Sequence, residues 1–535
     1  MSAPQVNSPL EDKHHDLHVE DVTQTRDGGD ISADSDELVK SRYDQLSVFQ
    51  ALWKFRRATF YTFLVFTGYT IDGFEVTMAG SIVSNKGFIR QFGSPNASGV
   101  YALSTTWVAA WGAIINVGQI IAMTHVSWVA DRFGRRPTLL LSWLYALISV
   151  IIMATSRGSP AWLVGKLIMG MAIGTLQVTV YPYTAECVPV RCRGSVMMIG
   201  RVWYAIGGIT ASVMMTMTAR RQPFYWQLPV YVEMGLVGLM GICFAFIPET
   251  PWYHGRRGNK EGCFKSMRRL YGNVDEYNQE EEWGIIARSV EHERELLEQT
   301  SAVSWSSIFR GTNGKRMFIL LLVCTGQQVG GNALMSTYST YFFQLAGLAD
   351  PFNATMIQNC VALIAILFYF VVIDRLGRRL PTCTTYTTLT VVLWLVGALY
   401  YVKTAAAQTA LLALVCIWQP CFTLYTTSYY VIASELPSVQ LRMKTGTFVW
   451  FYQALWGIAL TFAAPPLLGV ANIRAAFLFA GLSMPVAILL RSVAEMDELF
   501  EKRIPAWRTG KFVTEVEKQL DRVLQAEQKA GGQTV

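Results

Sequence analysis

Apolar stretches close to 20 residues long, divided by short charged segments, limit this chain to very few folds. A helix that crosses a bilayer needs roughly 20 residues. Runs such as Thr138 to Ala154, Leu228 to Ile247, Cys360 to Ile373 and Ala475 to Leu490 are rich in Leu, Ile, Val, Ala and Phe, with charges at their flanks. Marking all such runs predicts about twelve helices, near 58–80, 103–125, 136–155, 161–183, 196–218, 227–248, 316–345, 354–373, 382–402, 408–433, 444–468 and 473–493. With 52% hydrophobic and only 16% charged residues, the chain has too little charge to cover a water-soluble surface. An all-α membrane protein is therefore expected.

The charges fall in a pattern. The net charge of +7 is carried by Lys and Arg collected between apolar runs, the positive-inside arrangement rather than a nucleic-acid face. Residues 1–56 are polar, with no cleavable signal, and predict a disordered cytoplasmic tail that includes His14 and His15. Residues 57–248 and 316–493 form two blocks of six helices. The charged segment 249–315 between them predicts a cytoplasmic linker with short amphipathic helices, and 494–535 a second cytoplasmic tail. The two N-x-S/T sequons, at Asn96 and Asn353, fall in the loops after helices one and seven, on the outer side. Nine cysteines without a CxxC pair read as packing residues, so neither a disulfide framework nor a metal site is expected.

One string occurs twice. VADRFGRRPTLL begins at Val129 and VIDRLGRRLPT at Val372, after helices two and eight. Glu186 and Arg193 are likewise matched by Glu435 and Arg442, each pair seven residues apart. The repetition predicts two pseudo-symmetric six-helix halves in parallel. Ordinary inner-end anchoring needs only the cations. The repeated carboxylates add charge-assisted hydrogen bonds between neighbouring helices, so Asp131, Arg132, Arg135, Arg136, Glu186 and Arg193, with Asp374, Arg375, Arg378, Arg379, Glu435 and Arg442, are expected to hold and release a gate.

Together with FIPETPWYHGRRG, GQQVGGNALMSTYSTYFF and SELPSVQLRMKTG, these strings resemble the sugar porter family of the major facilitator superfamily over about residues 68–510. The YSTYFFQLAG string at Tyr338 to Gly347, LRMKT at Leu441 to Thr445 and MDELFEKRIPAWRTGKF look like the fungal maltose or general α-glucoside permease branch. The chain departs from the pattern at Ser127 and Phe370, where the repeated motif has glycine, and at Thr426-Thr427, where helix ten usually has Gly-Pro. SVAEMDE stands where a PETKGRT-like string follows helix twelve.

The resemblance implies the major facilitator fold and secondary active transport of a sugar, a monosaccharide or an α-glucoside disaccharide, with a proton as the co-substrate. It implies alternating access, a functional monomer, and a cell-membrane protein with both termini cytoplasmic. It places Gln327, Gln328, Gln453 and Tyr430 at substrate-contact positions, with Asn332 one residue before the family's usual Asn. Glu75 occupies the place of a first-helix Asp in proton-coupled members and Lys166 that of a fourth-helix Arg, which implies a proton carrier and the cation that tunes it. Asp72 is the runner-up. Tyr338 and Tyr341 read equally as core or contact residues.

Arg201 is a further departure: many members have Gln there. Eight residues beyond Arg193, it lies roughly 12 Å deeper along helix five. Three readings stand open: it attracts an acidic substrate, pairs with an acid such as Glu75, or packs toward Glu233. A carrier of an acidic or specialised metabolite and a non-transporting sugar sensor are the alternative functions. There is no GxxxxGK[ST] loop, HExxH or GxSxG, so a primary pump or an enzyme is not expected, and no cofactor is implied.

Overall fold

The computed structural model describes residues 48–489 apart from 96–98, 273, 275–276, 303–304, 377–378, 403 and 438–440. Both tails up to residue 47 and from 490, with His14 and His15, lie outside the described residues, as do Asn96 and Arg378. So do the side chains of Arg193, Asp374, Arg375, Arg379, Glu435 and Arg442.

Ten described stretches are long and apolar enough to cross a membrane, and the longest, Lys444–Leu489, contains two helices. A further crossing comes from Arg56–Phe66 and Gly68–Ile82, two helices in series whose junction at Thr67 stays in helical conformation. That gives twelve. Helix one is this pair. Helices two to six are Thr105–Phe133, Arg135–Thr155, Ser159–Cys187, Val190–Arg221 and Gln227–Phe246. Helix seven is broken, as Gly311–Val329, Ala333–Thr337 and Ser339–Leu345. Helices eight to twelve are Pro351–Leu376, Arg379–Leu399, Ala405–Glu435, Arg442–Ala471 and Ala475–Leu489.

Three features differ from the sequence expectation. Helical structure begins at Val48–Lys54, inside the stretch read as a tail. The run 316–345 is not one helix: Gly331 has φ +97°, which a side chain would strain, and a π turn follows at Ala333–Thr337. Asn353 is not in the loop; it sits half-buried in the first turn of helix eight, its N–H donating to Asp350 Oδ1 at 3.2 Å.

Between the halves, Pro251–Arg256, Lys260–Tyr271 and Gln279–Ala302 form helices on one face of the bundle, here called the linker face. Lys260–Tyr271 is amphipathic, with Cys263, Met267 and Leu270 buried and its basic residues outward. Within the halves helix four packs on two and three, and ten on nine; across the seam helix two packs on eleven and five on eight. Small residues permit the close approach. A Cβ on Gly170 would run into the Ile115 carbonyl, and one on Gly207 into the Thr70 carbonyl.

The halves meet at the far face, opposite the linker. Ser81 Oγ of helix one lies 2.6 Å from Thr340 Oγ1 of helix seven, and Arg220 pairs with Asp350 at 2.6 Å. Gly80 lies against the backbone of Thr337 and Tyr338 with no room for a Cβ. Tyr338 donates its hydroxyl toward the carbonyls of Val108 (3.4 Å) and Thr461 (3.5 Å), from helices two and eleven. It is fully buried and part of this closure.

Candidate functional site

A cavity of about 250 Å³ lies between the halves, lined by helices one, two, four and five on one side and seven, eight, ten and eleven on the other. Ten of its lining side chains are carboxamides. An amide offers both donors and acceptors, so such a wall suits hydroxyl groups in many orientations and has no fixed charge of its own.

All six residues assigned to substrate from the sequence line this cavity: Arg201, Gln327, Gln328, Asn332, Tyr430 and Gln453. Gln327 Oε1 is buried and receives no donor from the protein. Gln453 Oε1 accepts the Tyr429 hydroxyl at 2.9 Å, which fixes that amide. Tyr430 stacks on Trp450, ring centroids 5.7 Å apart, giving the cavity an aromatic wall. Sequence reasoning missed several others. Gln358 bridges Met335 O (2.6 Å) and Gln419 Oε1 (2.8 Å), and Asn359 donates to Ser212 Oγ at 2.7 Å across the seam. Their signal was a Gln-Asn pair within an otherwise apolar helix eight.

Asp72 and Glu75 have separate surroundings despite lying three residues apart. Asp72 lines the cavity and accepts from Gln177 Nε2 at 3.2 Å. Glu75 lies outside it, 0% exposed, hydrogen-bonded to the Lys166 ammonium, itself 1% exposed. Glu233 of helix six is 0% exposed and within electrostatic reach of both. No protein donor reaches Glu75 Oε2 or either oxygen of Glu233. Two buried carboxylates therefore share one cation, with Trp162 packed over the ammonium at 5.0 Å.

Arg201 is paired with neither Glu75 nor Glu233. Its guanidinium carbon lies 5.5 Å from the Tyr204 ring centroid and 5.9 Å from that of Tyr430.

At the linker face, Glu186 joins three elements. It forms an ion pair with Arg135 at 3.2 Å and accepts from Arg256 at 2.9 Å and Thr250 Oγ1 at 2.6 Å, linking helix four to helix three and to the linker. Arg135 also pairs with Asp131 at 3.0 Å, and Arg136 donates to Ala245 O at 2.9 Å. Arg132 takes part through its carbonyl, which accepts from Tyr253 and Arg257. Glu249, within the quoted PETP string but given no role there, is central. Its carboxylate takes the free N–H groups of Arg135 (2.9 Å) and Arg136 (3.0 Å), where helix three begins after Gly134 with φ +105°. Burial pushes the Glu249 carboxyl up, and these backbone N–H groups oppose that.

The profile of the family described as sugar (and other) transporter matches residues 60–492. The general alpha-glucoside permease of Saccharomyces cerevisiae is 24% identical, the alignment covering 93% of this chain and 86% of the permease. A high-affinity glucose transporter of Schizosaccharomyces pombe is 24% identical over 77% of this chain and 81% of its own. Among solved structures, the proton:xylose symporter XylE, bound to 6-bromo-6-deoxy-D-glucose, superimposes with a TM-score of 0.65 at 17% identity, covering 84% of this chain and 97% of XylE. That likeness establishes the major facilitator fold.

Proposed function

Because the chain belongs to the sugar transporter family of the major facilitator superfamily, we propose that it is a secondary active carrier moving a polyhydroxylated solute through the central cavity, driven by a proton. The observation that carries this reading is the amide-rich cavity between the two halves, beside a sealed acid–base cluster. The names of relatives that move glucose and alpha-glucosides, and of a proton:xylose symporter with the same fold, support the solute class and the coupling.

Gln327, Gln328, Asn332, Tyr430 and Gln453 contact the solute from the second half. Glu75 carries the proton. Lys166 offsets one negative charge of the Glu75 and Glu233 pair, and the proton, shared between the two carboxyls, offsets the other. Access alternates as the far-face contacts part. The Glu186 and Glu249 clusters then brace the linker face, with the repeated motif at Asp374 and Glu435 doing the same in the second half. The linker face is cytoplasmic, in keeping with its arginines, and the far face, with Asn96 as a glycan acceptor, is outside the cell. One chain suffices, since both sides of the cavity come from it.

The test is uptake of labelled glucose and maltose in a host lacking hexose and maltose transport, with and without a proton uncoupler. Uncoupler-sensitive accumulation supports the reading. Accumulation that ignores the uncoupler removes the proton from it.

A further inference from the structure

The cavity contains a cation with no salt bridge among the described residues, Asp72 being the one carboxylate in the lining. Among the described residues, Arg201 makes no ion pair and no hydrogen bond through its side chain. Its guanidinium carbon lies over the rings of Tyr204 and Tyr430, from opposite halves, at 5.5 and 5.9 Å. Its N–H groups remain available to whatever occupies the cavity.

Each nearby acid is otherwise engaged. Glu75 is bonded to Lys166, with Glu233 beside that pair and outside the cavity lining. Asp72 shares the cavity and lies within electrostatic reach of Arg201, but its carboxylate is bonded to Gln177. The lining from the second half contains amides, hydroxyls and rings, and no carboxylate. A guanidinium carries its donors in a fixed fork that fits a carboxylate bidentately, and leaving a cation desolvated among helices is costly.

We propose that the solute is a polyhydroxy monocarboxylate, a sugar acid of the aldonate or uronate type, whose carboxylate seats on Arg201 while its hydroxyls meet the amides opposite. This rests on the carrier reading above and names its substrate class. Cavity size agrees. At about 250 Å³ it lies just below the roughly 300–1,000 Å³ typical of ligand pockets, which favours one sugar-sized unit over two. Asp72 sets a limit, because its charge beside the seat disfavours a second carboxylate on the ligand.

The experiment measures uptake of labelled D-gluconate, D-glucuronate and D-glucose by the full chain in a transport-deficient host, with thermal shift of the purified protein by each solute. Wild type, Arg201→Gln and Arg201→Lys are compared. The expected result is accumulation of at least one acid by wild type, with glucose weaker. Arg201→Gln loses roughly tenfold or more in affinity for the acid, the size of a lost charged hydrogen bond, while surface expression and the thermal unfolding of the solute-free variant show that it folds. Arg201→Lys recovers part of the acid affinity.

Glucose accumulation by wild type, with neither acid transported or competing, overturns the proposal and leaves the carrier reading intact. Equal handling of acid and glucose, unchanged in Arg201→Gln, overturns it as well. Absence of uptake and thermal shift with all three solutes, from protein shown to reach the cell surface, counts against both the proposal and the carrier reading.

Discussion

Lys166 donates to one oxygen of Glu75 inside the first half, closed off from the cavity, while the other oxygen of Glu75 meets no donor. With Glu233 beside them, the cation is outnumbered by carboxylates. If the surplus charge is met by a transported proton, Glu75→Gln abolishes uncoupler-sensitive accumulation but leaves solute exchange down a gradient. Counterflow in proteoliposomes separates the two, and concentrative uptake retained in Glu75→Gln would sink the assignment. Lys166→Met strands both carboxylates and is expected to cost about 3–5 kcal/mol of stability, as breaking a buried pair does, read by thermal unfolding in detergent.

The far-face closure depends on a glycine. Any side chain at Gly80 strikes the Thr337 carbonyl, so Gly80→Val is expected to hold helices one and seven apart and slow transport at least severalfold. A cysteine pair at Ser81 and Thr340, whose oxygens lie 2.6 Å apart, should cross-link in the otherwise native chain and arrest uptake until reduced. In the Gly80→Val background the cross-link should form poorly. Equal cross-linking in both backgrounds would show that the closure tolerates the side chain.

Glu249 acts as a remote cap for helix three. Glu249→Ala removes the acceptor of the Arg135 and Arg136 N–H groups and is expected to cost about 1–2 kcal/mol, the range of a lost cap. Gly134→Ala combines left-handed strain with a collision against the same carboxylate and should exceed that cost. Thermal unfolding of the purified variants gives both values. A neutral Gly134→Ala would show that the turn can relax.

Acid is expected to loosen the linker through His254. Burial, and then the neighbouring Arg257, hold the imidazole below its ordinary pKa. The native state therefore prefers the neutral ring, and its contribution is full above the ordinary value of about 6.5 and lost as pH falls through the lowered one. Protection of residues 251–271 against hydrogen exchange, taken relative to the intrinsic rate at each pH, should fall between about pH 7 and pH 5 in wild type and change less in His254→Gln. Identical profiles would assign the acid response to another group.

Much of the fold was legible because hydrocarbon imposes length. Helix three, read at 136–155, is Arg135–Thr155, and helix six, read at 227–248, is Gln227–Phe246. The break in helix seven was harder to see, since the run stays free of charge and only Gly330-Gly331 marks it. The cavity position of Gln327, Gln328 and Gln453 followed from aligned motifs. The nearness of Glu75 to Lys166 came from the resemblance, and what no local pattern supplied was that helix one turns Asp72 to the cavity instead. Nor did it supply the contact of Arg256 with Glu186, 70 positions apart in sequence. Such pairings depend on how separately formed helices dock.

The wall of carboxamides has an evolutionary consequence. Because an amide offers both donors and an acceptor, hydroxyls of differing stereochemistry can be met without rebuilding the backbone, and the few charged positions carry most of the discrimination. A lineage can then change what it eats or expels through one codon, at a position such as 201, while the helices, the glycine contacts and the coupling cluster stay as they are. Selection would see a new diet long before it saw a new protein.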